Sequence, residues 1–222
     1  MNIAKLENYR LAPDKSGNGL IDASLTIVEN DIISIIADDR DDAALLLKGL
    51  ATLSYPTDGS YKFDNEILDF SDYRNLLSAK KNIGYIGSEA TMLTNRTIRQ
   101  NMMLSAHFFS NSQSLDIDGE TMALCEQFKI KDFLDKRPFE ITKFHSNIAI
   151  SLRAIMKRPK LLIIENPEDY LGYEFMDQFT EKISEFLKDS AVIFFSASKY
   201  VRDSLTKSEI TIKEGKLFQD LN

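Results

Sequence analysis

Short apolar runs rich in β-branched residues alternate with helix-forming segments along most of this chain. Residues 32–36 (IISII) are followed by the Ala- and Leu-rich stretch 43–53, and residues 161–164 (LLII) are followed by an amphipathic stretch at 175–187. A further apolar run at 192–195 is followed by a short helix predicted at 199–205, and residues 70–79 are also predicted to be helical. Runs of this length are typical of buried strands, and their alternation with helices favours a parallel sheet. The pattern therefore predicts an α/β fold.

Two regions depart from this alternation. Near the N-terminus, residues 1–9 and 25–28 form short strand-like segments separated by turn-forming residues, which predicts an antiparallel start to the sheet. The middle of the chain, residues 89–157, is predicted to be nearly all helical, in three segments at 97–109, 120–128 and 147–157. This arrangement indicates a helical piece inserted between strands of the sheet.

Length and charge narrow the classes of function. The 222 residues suffice for one large domain with a full core. A net charge of −7 disfavours nucleic acid as a partner, because no basic excess offsets phosphate repulsion. The single cysteine, Cys125, excludes an internal disulfide framework. The sequence shows no signal peptide and no apolar run that approaches a membrane span, so we expect a cytoplasmic protein.

The turn at residues 37–42 connects the first buried strand to the helix predicted at 43–53. In parallel α/β sheets this position commonly binds anions, phosphate in particular, at the helix N-terminus. Here it carries four aspartates and no glycine, which opposes such a ligand. Aspartates also cap helices and interact favourably with the helix dipole, so capping explains the turn as well. The aspartates show no recognisable metal-ligand spacing.

Five segments narrow the fold further. Residues 153–167 (RAIMKRPKLLIIENP) carry the most specific pattern, and residues 54–61, 83–86, 93–102 and 208–217 occur in a compatible order. Together they resemble ABC-type ATPases (ATP-binding cassette nucleotide-binding domains), whose corresponding run reads roughly ARALLxxPKLLLLDEP. The resemblance implies a P-loop NTPase-like (RecA-like) parallel core with an N-terminal antiparallel β piece and an inserted helical subdomain.

On this resemblance the whole chain, 1–222, is a single nucleotide-binding-domain-like unit. Residues 1–88 and 158–222 would form the RecA-like core with the antiparallel β piece, and residues 89–157 the helical subdomain. Domains of this family usually pair head to tail and dock on the membrane subunits of a transporter.

The resemblance places the family's phosphate loop, G-x-x-x-x-G-K-[ST], on eight residues: Ala37, Asp38, Asp39, Arg40, Asp41, Asp42, Ala43 and Ala44. Such a loop needs glycines for close approach of the backbone, a lysine for the phosphate oxygens and a hydroxyl for Mg²⁺. Both glycines, the lysine and the hydroxyl are replaced here. We therefore expect weak or absent binding of ATP and Mg²⁺, with no other cofactor.

The other catalytic positions of the family are altered as well. The Walker B aspartate and the general-base glutamate correspond to Glu165 and Asn166, the Q-loop glutamine to Ser88, and the switch histidine to Ala197. Because Asn166 cannot accept a proton from attacking water, no catalytic residue is predicted. The D-loop aspartate corresponds to Gly172. The signature motif LSGGQ corresponds to Ile141, Thr142, Lys143, Phe144 and His145, with no glycine.

Several other residues invite a functional interpretation. Tyr9 lies near the family's adenine-stacking aromatic position, although a tyrosine in a strand more commonly packs in a core. His107 and His145 have no carboxylate or cysteine at ligand spacing, which favours surface or packing roles. Cys125 occupies an apolar helical position and is predicted to lie in the core.

These observations favour a pseudo-ATPase that serves as a structural or regulatory subunit of a membrane transport complex. Its expected partners are a membrane permease subunit, a second ABC-type subunit in a homo- or heterodimer, or both. The predicted docking surface consists of Ser88, Glu89, Leu93, Thr97 and Asn101. Two alternatives remain open, namely an atypical active ABC ATPase and a stand-alone soluble binding module.

Overall fold

The structure is a computed structural model that describes residues 1–14, 16–111, 116–170, 181 and 189–219. Ten strands occur in these residues. In chain order they are β1 (Asn2–Leu11), β2 (Leu20–Val28), β3 (Ile32–Ala37), β4 (Asp58–Phe63), β5 (Glu66–Ile67), β6 (Ile83–Ile86), β7 (Leu161–Glu165), β8 (Ala191–Phe195), β9 (Ser208–Lys213) and β10 (Lys216–Gln219).

Six α-helices and three short 3₁₀ segments lie wholly within the described residues, and residues 167–170 are helical as well. The helices are α1 (Arg40–Leu50), α2 (Leu77–Lys81), α3 (Ile98–Ser110), α4 (Gly119–Gln127), α5 (Lys143–Ile155) and α6 (Lys199–Leu205). The 3₁₀ segments are Tyr73–Leu76, Lys131–Phe133 and Pro138–Glu140. None of the described helices is both long enough and apolar enough to cross a bilayer.

Two sheets organise the molecule. A six-stranded sheet has the order β10-β9-β3-β8-β7-β6, in which β9, β3, β8, β7 and β6 run parallel and β10 pairs antiparallel with β9. A four-stranded antiparallel sheet has the order β2-β1-β4-β5. Both the parallel sheet and the antiparallel N-terminal piece agree with the sequence pattern.

The parallel sheet separates two hydrophobic clusters. On one face, α1 packs between the two sheets, in a cluster that includes Leu46, Leu50 and Tyr61. The other face packs against α3, α4, α5 and α6, in a cluster that includes Met102 and Phe194. Helices α3, α4 and α5 all lie within residues 89–157, which were predicted to be helical. The division of the chain into a core and a helical subdomain stays a prediction.

Three helix predictions need correction. Helix α1 begins at Arg40 rather than at residue 43, because Asp39 adopts extended backbone angles and caps it. Helix α5 begins at Lys143 rather than at residue 147, because Thr142 caps it. The helix predicted at 70–79 consists of a 3₁₀ turn followed by the five-residue α2. The helix predicted at 175–187 lies outside the described residues apart from position 181, which is helical.

The parallel strands bring the residues of interest to one edge of the sheet. β3 ends at the acidic turn, β7 ends at Glu165, and β8 ends beside Ser196 and Ala197. Because neighbouring parallel strands end on the same side, the turn and these residues share the carboxyl edge.

Candidate functional site

The connection between β3 and α1 is only two residues long, Asp38 and Asp39. The carboxylate of Asp39 accepts a hydrogen bond of 2.8 Å from the backbone N–H of Asp41. The observed connection is therefore shorter than the predicted six-residue turn. Residues Arg40 to Ala44 belong to the first turns of the helix. One of the N–H groups that a helix normally presents to an anion is bonded to the chain's own carboxylate.

Asp42 carries the second carboxylate at this helix end, and it is only 2% exposed. Its side chain accepts hydrogen bonds from the backbone N–H of Gly19 at 2.9 Å and from Nδ2 of Asn18 at 3.2 Å. A Cβ at Gly17 would lie 2.3 Å from the same carboxylate, so only glycine permits this approach. The loop between β1 and β2 is thereby held against the start of α1.

A third carboxylate strengthens the same contact. Asp41 accepts hydrogen bonds from the backbone N–H of Ser16 at 3.2 Å and from its hydroxyl at 2.6 Å. Asp38 and Arg40 point toward solvent, whereas Ala43 is buried in the core. Carboxylates in the first turn favour the helix dipole. The arrangement thus compensates the positive end of α1 with side chains of the chain itself.

Glu165, the last residue of β7, is buried with 7% of its surface exposed. One carboxylate oxygen accepts hydrogen bonds from the Ser88 backbone N–H at 3.0 Å and from the Tyr85 hydroxyl at 3.2 Å. The other oxygen accepts a bond of 2.9 Å from the Ser88 hydroxyl. Burial, followed by the nearby Glu165 charge, raises the pKa of Tyr85. Glu165 therefore ties the end of β6 to β7.

The residue after Glu165 has a left-handed backbone. Asn166 has φ of 48°, and its N–H donates to the Phe195 carbonyl oxygen at 2.8 Å. Asparagine tolerates this conformation better than most residues. Ala197 is exposed nearby and offers no side-chain donor or acceptor.

Sequence reasoning missed Glu168, which lies beside these residues. Its two carboxylate oxygens each lie 2.9 Å from the hydroxyl of the buried Ser196. Arg202 donates to the Ser196 carbonyl oxygen at 2.6 Å. No spacing in the sequence signals this contact, because it joins the segments that follow two different strands, β7 and β8.

The five residues aligned with the signature motif lie at the start of α5. The Thr142 side chain accepts a hydrogen bond from the His145 backbone N–H at 3.4 Å and lies 2.8 Å from Nδ1 of the same histidine. The His145 ring packs on Phe133, with ring centroids 4.4 Å apart. Ile141 is half-buried, whereas Lys143 and Phe144 are exposed. The segment is a capped helix start and carries no glycine.

The predicted docking surface divides into two groups. Ser88, Glu89 and Leu93 are exposed, whereas Thr97 is half-buried and caps α3 through a capping box with Gln100. The inclusion of Asn101 is wrong, because its side chain is fully buried. Its amide accepts from the Leu93 N–H at 2.7 Å and donates to three backbone carbonyls, those of Leu93, Arg96 and Thr97. Asn101 positions the surface without forming part of it.

The remaining residues of interest are mostly in the core. Tyr9 is fully buried, burial raises the pKa of its hydroxyl, and it packs edge-on against Tyr61. Burial also raises the pKa of Cys125 to about 11. His107 is half-buried on α3, and Gly172 lies outside the described residues. In the part of the chain that the structure describes, no group of three or more His, Cys, Asp or Glu side chains is arranged to hold a metal.

Comparisons with known proteins identify the relatives of this chain. No protein-family model matches it. It is 22% identical over 200 residues to YvcR, an uncharacterized ABC transporter ATP-binding protein of Bacillus subtilis. The matched residues cover 89% of this chain and 77% of that protein. It is 24% identical over 195 residues to the lipoprotein-releasing system ATP-binding protein LolD 2 of Chlorobium chlorochromatii, covering 85% of this chain and 80% of that protein.

Solved structures show the same fold. A dimeric ATP-binding cassette, MJ0796, in a post-hydrolysis state bound to ADP and phosphate superposes with a TM-score of 0.79 at 18% identity, covering 99% of this chain and 100% of that chain. An ATP-binding subunit of an ABC transporter superposes with a TM-score of 0.81 at 14% identity, covering 98% and 90%. These matches confirm the predicted P-loop NTPase-like α/β fold class. In sequence and in fold, the chain is similar to ATP-binding proteins of ABC transporters.

Proposed function

We propose that this chain is a non-catalytic ABC-type subunit, which retains the cassette fold and acts as a structural or regulatory component of a membrane transport complex. The observation that carries the proposal is the start of α1, where Asp39 and Asp42 bond the N–H groups of the chain itself. In the related cassettes the corresponding helix end faces the phosphates of ATP. Here it is already compensated and covered by the β1–β2 loop.

Electrostatics supports a weak or absent affinity for Mg-ATP. Two unit charges 4 Å apart interact by about 4 kcal/mol at an effective dielectric constant of 20, so each carboxylate at this helix end strongly disfavours a triphosphate. Residues 37–44 contain no lysine to offset that repulsion and no hydroxyl to hold Mg²⁺. The residues present therefore do not fit the family's nucleotide and metal.

The carboxyl ends of β7 and β8 support the absence of hydrolysis. Both oxygens of Glu165 already accept hydrogen bonds from Ser88 and Tyr85, so coordination of a metal would break these bonds. Asn166 cannot serve as a general base, and Ala197 has no group that could contact a phosphate. Glu165, Asn166, Ala197 and Ser88 thus serve the fold rather than the reaction.

The proposed partners are a membrane permease and a second ABC-type subunit. The relatives are named as ATP-binding proteins of transporters, and one structural neighbour is a dimer. Ser88, Glu89 and Leu93 present an exposed surface next to the helices of residues 89–157. Docking there would hold the chain at the inner face of the membrane.

Titration of Mg-ATP into the protein by isothermal calorimetry tests the loss of nucleotide binding. We expect no saturable heat up to millimolar nucleotide, because carboxylates occupy the phosphate position. Titration of the same Mg-ATP solution into an ABC cassette that binds ATP, in the same buffer, shows that the nucleotide can bind under these conditions. A micromolar dissociation constant would favour the second candidate function, an atypical ABC ATPase, which the names of the relatives support.

Capture from detergent-solubilised membranes tests the transport-complex proposal against a stand-alone module. We expect the tagged chain to retain a polytopic permease, identified by mass spectrometry. Leu93→Asp should lower that capture several-fold, because it places a charge on the docking surface. Phe218→Asp is the matched control, since Phe218 is similarly exposed but lies on β10. Equal capture by both variants would count against the docking surface, and no permease at all would favour the module.

A further inference from the structure

Lys157 follows the end of α5 and lies where two adjoining cavities meet. The cavities measure about 240 and 320 Å³ and share Ser105, Phe109 and Lys157. Apolar side chains form most of their lining, and no aspartate or glutamate of the described residues belongs to it. The side chain of Lys157 is half-buried. Its amine therefore borders a largely apolar space that holds a molecule of a few atoms.

The hydrogen bonds of the Lys157 amine suit its neutral form. Nζ donates to the carbonyl oxygens of Lys80 and Ile83 at 2.8 and 2.7 Å, and no third acceptor for it occurs among the described residues. A neutral amine has two N–H groups and a lone pair, whereas an ammonium group has three N–H groups. The two carbonyls therefore satisfy both donors of the neutral amine and leave its lone pair available as a nucleophile.

Cations without an anionic partner surround this amine, although the whole chain has a net charge of −7. Nζ of Lys80 donates to the Thr52 carbonyl oxygen at 3.1 Å, and Arg153 donates to that of Thr91 at 3.2 Å. Within the described ranges, neither cation forms an ion pair with a carboxylate. A carboxylate formed on Lys157 would gain charge-assisted hydrogen bonds from such neighbours.

The surroundings of Lys157 also favour loss of its proton. Burial, followed by the charges of Lys80 and Arg153, lowers the pKa of the Lys157 amine to about 8. At pH 7.5 about a quarter of such an amine is neutral, against about 0.1% of a lysine with the ordinary pKa. Lysines beside other cations or in apolar pockets are nucleophilic for this reason.

The other side chains around the two cavities do not reverse this effect. Lys81 of α2 adds a further positive charge to the smaller cavity. Tyr85 of β6 lines the larger cavity, and burial raises the pKa of its hydroxyl, so it stays neutral. The side chains of α3 that line the cavities carry no charge, and the Phe109 ring, with its centroid 5.8 Å from Nζ, offers the cation only a weak contact.

We propose that carbon dioxide adds reversibly to Nζ of Lys157 to form a carbamate. The nitrogen lone pair forms a bond to the carbon atom, one C–O π pair moves onto oxygen, and a proton passes from nitrogen to water. The product is a carboxylate within reach of Lys80 and Arg153, and its remaining N–H can still donate to one of the two carbonyls. The modification exchanges a positive for a negative charge and requires neither nucleotide nor metal, so it is independent of the proposed function.

Carbon-13 NMR of the full chain in buffer with ¹³C-labelled bicarbonate tests the proposal. We expect a carbamate resonance that disappears when the protein is returned to buffer free of carbon dioxide. At a fixed concentration of dissolved carbon dioxide its intensity should rise from pH 6.5 to 8.5, because a higher pH favours both the neutral amine and the release of the proton. Trapping the carbamate as an ethyl ester with triethyloxonium, followed by peptide mass spectrometry, should place it on Lys157.

Two variants and a matched control complete the test. Lys157→Met should abolish the resonance. Lys80→Gln retains an N–H donor for Thr52 but removes a charge, so it should lower the carbamate fraction at pH 7.5 at least threefold. Lys216→Met, which changes an exposed lysine on β10, should leave the fraction unchanged. Circular dichroism checks that each variant is folded.

Several results would overturn the proposal. These are the absence of a trapped ester on Lys157 in the parent protein, an ester confined to the α-amino group of Met1 or to Lys216, and a resonance that persists without carbon dioxide. Undiminished signal in folded Lys157→Met or Lys80→Gln protein would do the same. Because trapping is carried out on the parent protein, the outcome does not depend on whether the variants fold.

Discussion

Replacing Asp42 with alanine is expected to lower the free energy of unfolding by about 3 kcal/mol, since hydrogen bonds to a charged group contribute about 1.5–3 kcal/mol and a carboxylate near a helix N-terminus adds about 0.3–1 kcal/mol. The substitution leaves the buried N–H of Gly19 without its acceptor and removes the bond from Asn18. Urea unfolding followed by circular dichroism measures the effect.

Asp38→Ala is the matched control for this prediction. Asp38 belongs to the same acidic turn but is exposed, so its replacement should change stability by less than about 0.5 kcal/mol. Equal effects of the two substitutions would show that net acidity, rather than the contact with the β1–β2 loop, stabilises this region. An Asp42→Ala protein as stable as the parent would contradict the role assigned to this carboxylate.

Replacing Glu165 with alanine is expected to cost about 2–3 kcal/mol of unfolding free energy, because three hydrogen bonds to a buried carboxylate are lost together. The loss should be local as well as global. Hydrogen–deuterium exchange at the backbone amide of Ser88 should speed up, since that N–H then faces solvent without its acceptor. Urea unfolding of the variant and the parent measures the change in the free energy of unfolding.

Glu165→Gln separates hydrogen bonding from charge. The amide oxygen of glutamine can still accept from the Ser88 N–H, so we expect a smaller loss than with alanine and partial protection of that amide. A glutamine variant as unstable as the alanine variant would indicate that the charge, rather than the acceptor geometry, holds Ser88. Measurable hydrolysis of ATP by either variant would contradict the structural role of Glu165.

The local patterns in the sequence were sufficient to predict most of the parallel sheet. Strands β7 and β8 are short, apolar except for the last residue of β7, Glu165, and rich in β-branched or aromatic residues, so tertiary context did not change them. Helix α6 matches its predicted bounds because Ser198 provides an unambiguous cap. The family resemblance, which the comparisons confirm, then supplied the P-loop NTPase-like fold class, which no local pattern determines.

The start of α1 could not be predicted because several aspartates compete for one role. Asp38, Asp39, Asp41 and Asp42 are each acceptable caps by composition, and in the structure Asp39, with an extended backbone, caps the helix. The burial of Asp42 depends on Gly19, which is 23 residues away along the chain. Sequence reasoning identified residues 13–19 as a turn but contained no signal that the turn would cover a helix.

Asn101 was wrongly placed on the docking surface because the sequence did not show its long-range contacts either. Asn101 is polar and lies on an amphipathic helix, so its sequence position suggested an exposed side chain. In the structure its amide satisfies the backbone groups of the turn at Leu93–Thr97 and is therefore buried. Likewise, Lys80 and Lys157 are 77 residues apart in the chain, and they come together because α2 and α5 both pack on β6.

The carboxylates at the start of α1 also change what controls the state of this helix end. In a cassette that binds nucleotide, occupancy of the helix end follows the free concentration of a diffusible ligand. Here the anions are covalently part of the chain, so they act at an effective concentration fixed by the backbone geometry of Asp39–Asp42. On the proposed function, this helix end therefore keeps one conformation at every nucleotide concentration.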